Sequence, residues 1–194
     1  MPKKIVFIHG SPRLKGNTRA ITAVAAEAAQ RAGADVSEID ALALEFKAPG
    51  CIGCQQCQDS ENFGCSIKDG LSKAVAMLPS YDIVVFATPL YWWSHTAQIK
   101  MLIDRIYSLV KIAEDGSIIT PMAGKTLALL ATAAGPMADN LELLELQVKY
   151  PAEMLSCGYT SCVFPDVICE PGTLQNETEA VKKAQEFGMA LAAD

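Results

Sequence analysis

Nowhere in this sequence do lysine and arginine gather into a block, and the formal net charge is −6 at pH 7. Nucleic-acid binding leans on a clustered positive face, so that function class is set aside. Long apolar runs are missing too. The charged start Met1-Pro2-Lys3-Lys4 is followed only by Ile5 to Ile8 before the apolar run ends, too little for a secretory signal or a membrane span. We expect a cytoplasmic protein with no membrane partner. There is no repeat, linker or low-complexity tract, and 194 residues suit one domain, 1–194, with a substantial core. Two familiar phosphate-binding fingerprints, Gly-x-Gly-x-x-Gly and Gly-x-x-x-x-Gly-Lys-Ser/Thr, are absent as well. Of only two histidines, His9 reads as a strand-end core residue. His95, beside an aromatic loop, is the better placed to touch a ligand, and neither reads as an acid or base.

What is present begins with Ile5-Val6-Phe7-Ile8, an apolar strand cut off by Gly10-Ser11-Pro12, which cannot continue a central strand. Asn17 and Thr18 then open an Ala-rich helical pattern running to about Arg31. The start of a helix carries unpaired N–H groups and the positive end of the dipole. With hydroxyls and cations around it, that end suits a phosphate monoester. The competing reading is a polar connection in which Ser11 and Asn17 do no more than cap.

Strand and helix patterns alternate from there on. Ala34 to Ile39 alternates like a half-exposed strand, and Asp40 to Phe46 is a loop. Asp69 to Leu78 reads as a short helix, and Asp82 to Ala87 as a central parallel strand. Thr88-Pro89-Leu90-Tyr91-Trp92-Trp93 stops that strand. Ser94 is the expected cap of a helix in which Ile99, Leu102, Ile103, Ile106 and Val110 share one face. A turn is expected at Asp115-Gly116. Lys125 to Ala131 is the fourth strand, broken by Thr132-Ala133-Ala134-Gly135-Pro136. Asp139 with Glu142 forms a capping-box signature for a helix to about Met154. Tyr159 to Phe164 is the fifth strand, and Asn176 with Glu179 is the expected cap of a last helix ending near Ala192.

Five strands alternating with helices predict a three-layer α/β sandwich with helices on both faces of a parallel sheet, and the order 2-1-3-4-5 is the flavodoxin-like choice. In such sheets ligands bind beyond the carboxyl ends of the strands, at the switch point between strands 1 and 3. The loops at Ser11, Thr88 and Thr132 should therefore meet at one rim.

Gly10-Ser11-Pro12-Arg13 with Gly16-Asn17-Thr18, then Thr88-Pro89-Leu90-Tyr91-Trp92, then Lys100-Met101-Leu102-Ile103-Asp104-Arg105, together resemble the NAD(P)H-dependent FMN reductase family. This is a flavodoxin-like group that includes the iron–sulfur flavoproteins. The resemblance implies non-covalent FMN, with its phosphate at Ser11, Arg13, Asn17 and Thr18. It implies that Thr88, Pro89, Leu90, Tyr91 and Trp92 line the isoalloxazine, with Thr132, Ala133, Ala134 and Gly135 flanking it from the other side. NAD(P)H is the implied electron donor, with a flavin, quinone, metal chelate or redox protein as acceptor. It also implies a homodimer or homotetramer, and Tyr91-Trp92-Trp93 can equally be read as subunit packing. Asp104 and Arg105 read as a structural pair at the helix surface or end.

Seven cysteines are an odd number, and four of them crowd between Cys51 and Cys65. In a reducing compartment such crowding points to metal or redox chemistry before disulfides. Cys51, Cys54 and Cys57, with Cys65 after seven intervening residues, have spacing that can reach one metal centre, as many 4Fe-4S sites do. The loop at 48–68 is similar to the compact motif of the iron–sulfur flavoproteins, which makes these four the implied cluster ligands. An electron carrier holding FMN and a cluster, with no direct nicotinamide reaction, is the alternative function. Zinc, a reactive Cys54/Cys57 dithiol with Lys68 as its only cationic helper, and a purely structural loop are the remaining readings. Cys157, Cys162 and Cys169 read as small buried hydrophobes.

Overall fold

The computed structural model describes residues 1–193. Its sheet is built from β1 (Lys4–His9), β2 (Asp35–Asp40), β3 (Ile83–Pro89), β6 (Thr126–Thr132) and β7 (Gly158–Phe164), all parallel, in the order β2-β1-β3-β6-β7. A two-residue hairpin, β4 (Lys111–Ile112) with β5 (Ile118–Ile119), is inserted between β3 and β6 and turns at Asp115-Gly116. With the hairpin set aside, the order is the expected 2-1-3-4-5.

Both faces of the sheet are covered, which is why the central strands read as unbroken apolar runs. Along β1, Ile5 and Phe7 enter one core with α1 (Asn17–Arg31) and α5 (Thr178–Ala192). Val6 and Ile8 enter the other core, formed with α2 (Gly70–Met77), α3 (Ala97–Arg105) and α4 (Glu142–Met154). Strand β3 divides the same way: Val84 and Phe86 go to the second core, Ile83 and Val85 to the first. Helices α1 and α5 touch closely because Gly188 sits against the carbonyl of Ala25, where a Cβ would fall 2.1 Å from that oxygen.

Three expected helix starts lie elsewhere. Ser94 caps nothing: it closes a tight turn with Tyr91, its hydroxyl donates to Gln147, and Thr96 stands at the start of α3. That helix ends at Arg105, and a 3₁₀ turn over Ile106–Leu109 carries the rest of the apolar pattern. Only half of the Asp139–Glu142 box forms, with the Glu142 carboxylate accepting from the Asp139 N–H. Asp139 itself has a left-handed backbone (φ 53°) inside an irregular turn. Asn176 belongs to the preceding 3₁₀ turn and bonds back to Gly172, leaving Glu177 before α5. Conversely, Asp69 and Ser72 make a complete capping box on α2. No described helix is long and apolar enough to cross a membrane.

Candidate active site

Parallel register aligns the carboxyl ends of the strands: His9 lies beside Ala87, Pro89 beside Thr132, and Thr132 beside Phe164. Backbone bonds continue past the sheet. Gly10 N–H reaches Ala87 O, Leu90 N–H reaches Thr132 O, and Ala133 N–H reaches Phe164 O. The loops after β1, β3, β6 and β7 are therefore one connected rim. They enclose a cleft that opens to solvent.

One end of the cleft is polar. Ser11, Arg13, Gly16, Asn17 and Thr18 line it, and Gly16 begins α1 with no side-chain cap on the first-turn N–H groups. A helix end so placed, with a hydroxyl and a guanidinium beside it, fits a phosphate. The second cation nearby is committed: Arg19 binds Ser11 O and pairs with Asp40 at 2.7 Å. Burial opposes the charge on Asp40, but the Arg19 hydrogen bond and charge and the Leu42 N–H outweigh it, so its pKa lies below the usual value.

Thr18 and Asn17 line the cleft and are also bonded to other elements. The Thr18 hydroxyl meets the Thr132 hydroxyl at 2.7 Å, tying the start of α1 to the end of β6. Asn17 donates to Ile168 O, Glu170 O and the Thr173 hydroxyl, and accepts from the Leu174 N–H. It fastens the connection after β7, while Arg13 donates to Cys169 O in the same segment. Val167, Ile168, Cys169 and Pro171 of this strap complete the cleft wall. Of the four, Pro171 lies in Glu170-Pro171-Gly172, which extends the family resemblance weakly, and Cys169 reads as a buried hydrophobe; Val167 and Ile168 carry no sequence signal.

The other end is apolar, lined by Pro89, Leu90 and Tyr91 on one side and Thr132, Ala133 and Ala134 on the other. Polar phosphate end and flat apolar end together fit FMN. Three expected residues stand off the wall. Thr88 is buried, its hydroxyl turned to Pro89 O and the Thr96 N–H. Gly135 packs against Asn140 and accepts the Asp166 N–H. Trp92 and Trp93 both adopt left-handed backbone (φ 48° and 57°) at the tip of the Tyr91–Ser94 turn, so Trp92 projects away and is 89% exposed. Two consecutive bulky residues in that region are strained, a pattern that collects at functional sites.

His95 does not reach the cleft. It lies edge-on to Phe86, 5% exposed, with neither ring nitrogen hydrogen-bonded among the described residues. Burial, with the Lys100 charge adding to it, lowers its pKa to about 4. His9 is buried as expected and meets Glu38 at 2.5 Å.

Away from the rim cleft, Cys51, Cys54, Cys57 and Cys65 line one small cavity with Ile52, Ile67 and Arg105. No group of three ligating side chains among the described residues is placed to hold a metal ion. All four thiols nonetheless line the same cavity, and four cysteines are the donor set a 4Fe-4S cluster takes. The Gln56 N–H, the Ser66 hydroxyl and the charge of Arg105 lower the Cys54 pKa. Segment 105–111 grips the loop: Tyr107 bonds Gln55, Val110 O accepts from Gln58, and Lys111 bonds the carbonyls of Cys57 and Ser60. Lys68, the expected helper, only donates to Cys65 O. Arg105 is the cation at the sulfurs, paired with Asp69 rather than Asp104. Of the remaining cysteines, burial pushes the Cys162 thiol up to about 11, and Cys157 is half-buried. Cys169, against expectation, is exposed.

Fold and rim define a flavodoxin-like α/β protein with a cofactor cleft at its switch point. The family described as NADPH-dependent FMN reductase matches residues 3–152, and the chain belongs to it. Among curated proteins, it is 31% identical over 102 residues to an iron–sulfur flavoprotein of Methanocaldococcus jannaschii, covering 53% of this chain and 51% of that one. It is 34% identical over 102 residues to an iron–sulfur flavoprotein of Archaeoglobus fulgidus, covering 53% and 48%. The matched region thus spans about half the length of these relatives. Among solved structures, an FMN-dependent NADH-azoreductase from Bacillus anthracis in complex with FMN superposes with a TM-score of 0.74. It covers 98% of this chain and 100% of the other at 13% identity, a likeness of fold.

Proposed function

We propose that this chain is an FMN-dependent oxidoreductase that takes electrons from NADH or NADPH and passes them to a small acceptor (a flavin, quinone or metal chelate) or to a redox protein. What carries the reading is one juxtaposition: an uncapped helix start with Arg13 at one end of a cleft, and Leu90 and Tyr91 at the other. Bound FMN supplies the hydride acceptor and the onward electron donor. The chain's part is to bind and orient. First-turn N–H groups of α1, the Ser11 hydroxyl and Arg13 would hold the phosphate. Thr18 would act through Thr132, and Asn17 through the strap. Pro89, Leu90, Ala133 and Ala134 would exclude water from the ring faces, with Thr88, Trp92 and Gly135 supporting from behind. Tyr91, exposed at the mouth, offers the wall against which a nicotinamide would stack, and no acid–base pair is required.

The test is anaerobic reconstitution with FMN followed by addition of NADH or NADPH. Tight binding that is weakened by Arg13→Ala, together with bleaching of the flavin by a nicotinamide, is the expected result. A protein that ignores FMN would overturn the reading.

A second reading, an FMN and 4Fe-4S electron carrier, is favoured by the four thiols around one cavity. It predicts bound iron and sulfide and no bleaching by nicotinamides. We also propose a homodimer or homotetramer. Trp92 and Trp93 are exposed beside α4, and Trp93 is tied to Gln147 of that helix and to Asp139 O in the turn before it. On α4, Leu143, Leu146, Tyr150 and Met154 form an exposed apolar stripe. Light scattering tests it, with Trp92→Ser expected to weaken assembly. We read 1–194 as one FMN-binding domain, and seven free thiols suit the reducing cytoplasm.

A further inference from the structure

Arg105 is 1% exposed, an unusual depth for a guanidinium. Its nitrogens meet five acceptors: Nε gives to Gly50 O, Nη2 to Ala48 O and Asp69 Oδ2, and Nη1 to Asp69 Oδ1 and the Cys65 sulfur at 3.3 Å. A guanidinium has five N–H donors in a fixed fork, so the set is complete. The Ala48 and Gly50 carbonyls just before Cys51, the Cys65 sulfur and the carboxylate that caps α2 are thereby held by one side chain. No other charged side chain lines the cysteine cavity. At its opposite end α3 is fixed to the cofactor rim, where the Thr96 hydroxyl donates to Gly10 O. Nine residues of helix, roughly 13 Å at the usual rise, therefore separate that rim from Arg105.

We propose that Arg105 is the positioning residue of the cysteine loop and the fixed charge that sets the potential of a 4Fe-4S cluster held there, with Asp69 as its counterweight. The proposal rests on the cluster reading given above. One-electron reduction adds a negative charge at the cavity. A cation hydrogen-bonded to a ligating sulfur favours that more negative state, so it raises the reduction potential. Asp69, bound through both oxygens to the same guanidinium, offsets part of that charge. A merely structural arginine would leave the midpoint of whatever cluster still forms in Arg105→Gln at the wild-type value.

The experiment is anaerobic reconstitution of the full chain with iron and sulfide. Iron and sulfide analysis and a redox titration followed by electron paramagnetic resonance then compare wild type, Arg105→Gln, Arg105→Lys and Asp69→Asn. Wild type should take up about four irons per chain. Arg105→Gln should lose most of its iron, with a lower midpoint in what remains, and Arg105→Lys should fall between. Asp69→Asn removes the counter-charge and one of the two acceptor oxygens, which also serves the Lys47 N–H, so part of its iron should be lost and the midpoint of what remains should rise. A wild-type chain that takes up no iron sinks the cluster reading and this proposal together. If it loads but the Arg105→Gln midpoint is no lower than that of wild type, the role of Arg105 alone is overturned.

Discussion

The Thr18 and Thr132 hydroxyls meet at 2.7 Å beneath the cleft floor, both side chains buried. They join the first helix to the fourth parallel strand across 114 residues of chain. Replacing either threonine by valine leaves the other hydroxyl without its partner, a loss of about 1–3 kcal/mol. Replacing both removes the orphan, so the double variant should cost less than the sum of the singles. Denaturant titrations of the three variants measure this. Additive losses would mean that the hydroxyls are not coupled.

The sheet order and the three-loop rim were legible because continuous apolar strands and abrupt Gly, Pro and Thr stops are local signals. What stayed hidden is what the chain brings in from far away. Asn17 matched a phosphate position by its neighbours, yet its amide is consumed by a strap that follows residue 167. No local pattern records that pairing. Arg105 looked like half of an i, i+1 pair with Asp104, although adjacent helix residues do not face each other. Its partner lies 36 residues earlier. A sharper clue was the Asp69-x-x-Ser72 start of α2, but a capping box gives no hint that its carboxylate also carries an arginine.

His95 makes stability depend on pH in a definite direction. Its folded-state pKa is about 4 against an ordinary value of 6.5. Between those values the unfolded chain binds the proton and the folded chain does not. Stability from this group is therefore complete above pH 6.5 and is lost as the pH falls toward 4, by roughly 3 kcal/mol over the window. His95→Leu should flatten the midpoint temperature over that range. An equally steep acid loss in the variant would assign it to other groups.

Gly188 should not tolerate a methyl group. A Cβ there would lie 2.1 Å from Ala25 O and 3.0 Å from Ala28 Cβ, so α1 and α5 must separate. Alanine's better helix propensity returns only about 1 kcal/mol. Gly188→Ala is expected to lose ~3 kcal/mol from overpacking. An unchanged melting temperature would show that the two helices have room to slide.

Asn17 allows the strap to be separated from the phosphate. Asn17→Ala removes every bond to the segment, whereas Asn17→Asp keeps the acceptor for the Leu174 N–H and loses the donors to Ile168 O and Glu170 O. If Asn17 acts by fastening the strap, amide exchange at Leu174 should accelerate in Asn17→Ala and stay slow in Asn17→Asp. FMN affinity should fall in both by on the order of tenfold, as loss of one or two net hydrogen bonds implies. Direct phosphate contact gives another pattern: the larger loss of FMN affinity falls on Asn17→Asp, whose carboxylate repels the phosphate although the Leu174 N–H keeps its acceptor. Exchange measured with and without FMN separates the two, because a strap that closes over the cofactor slows further when the cleft is filled, and a peripheral one does not.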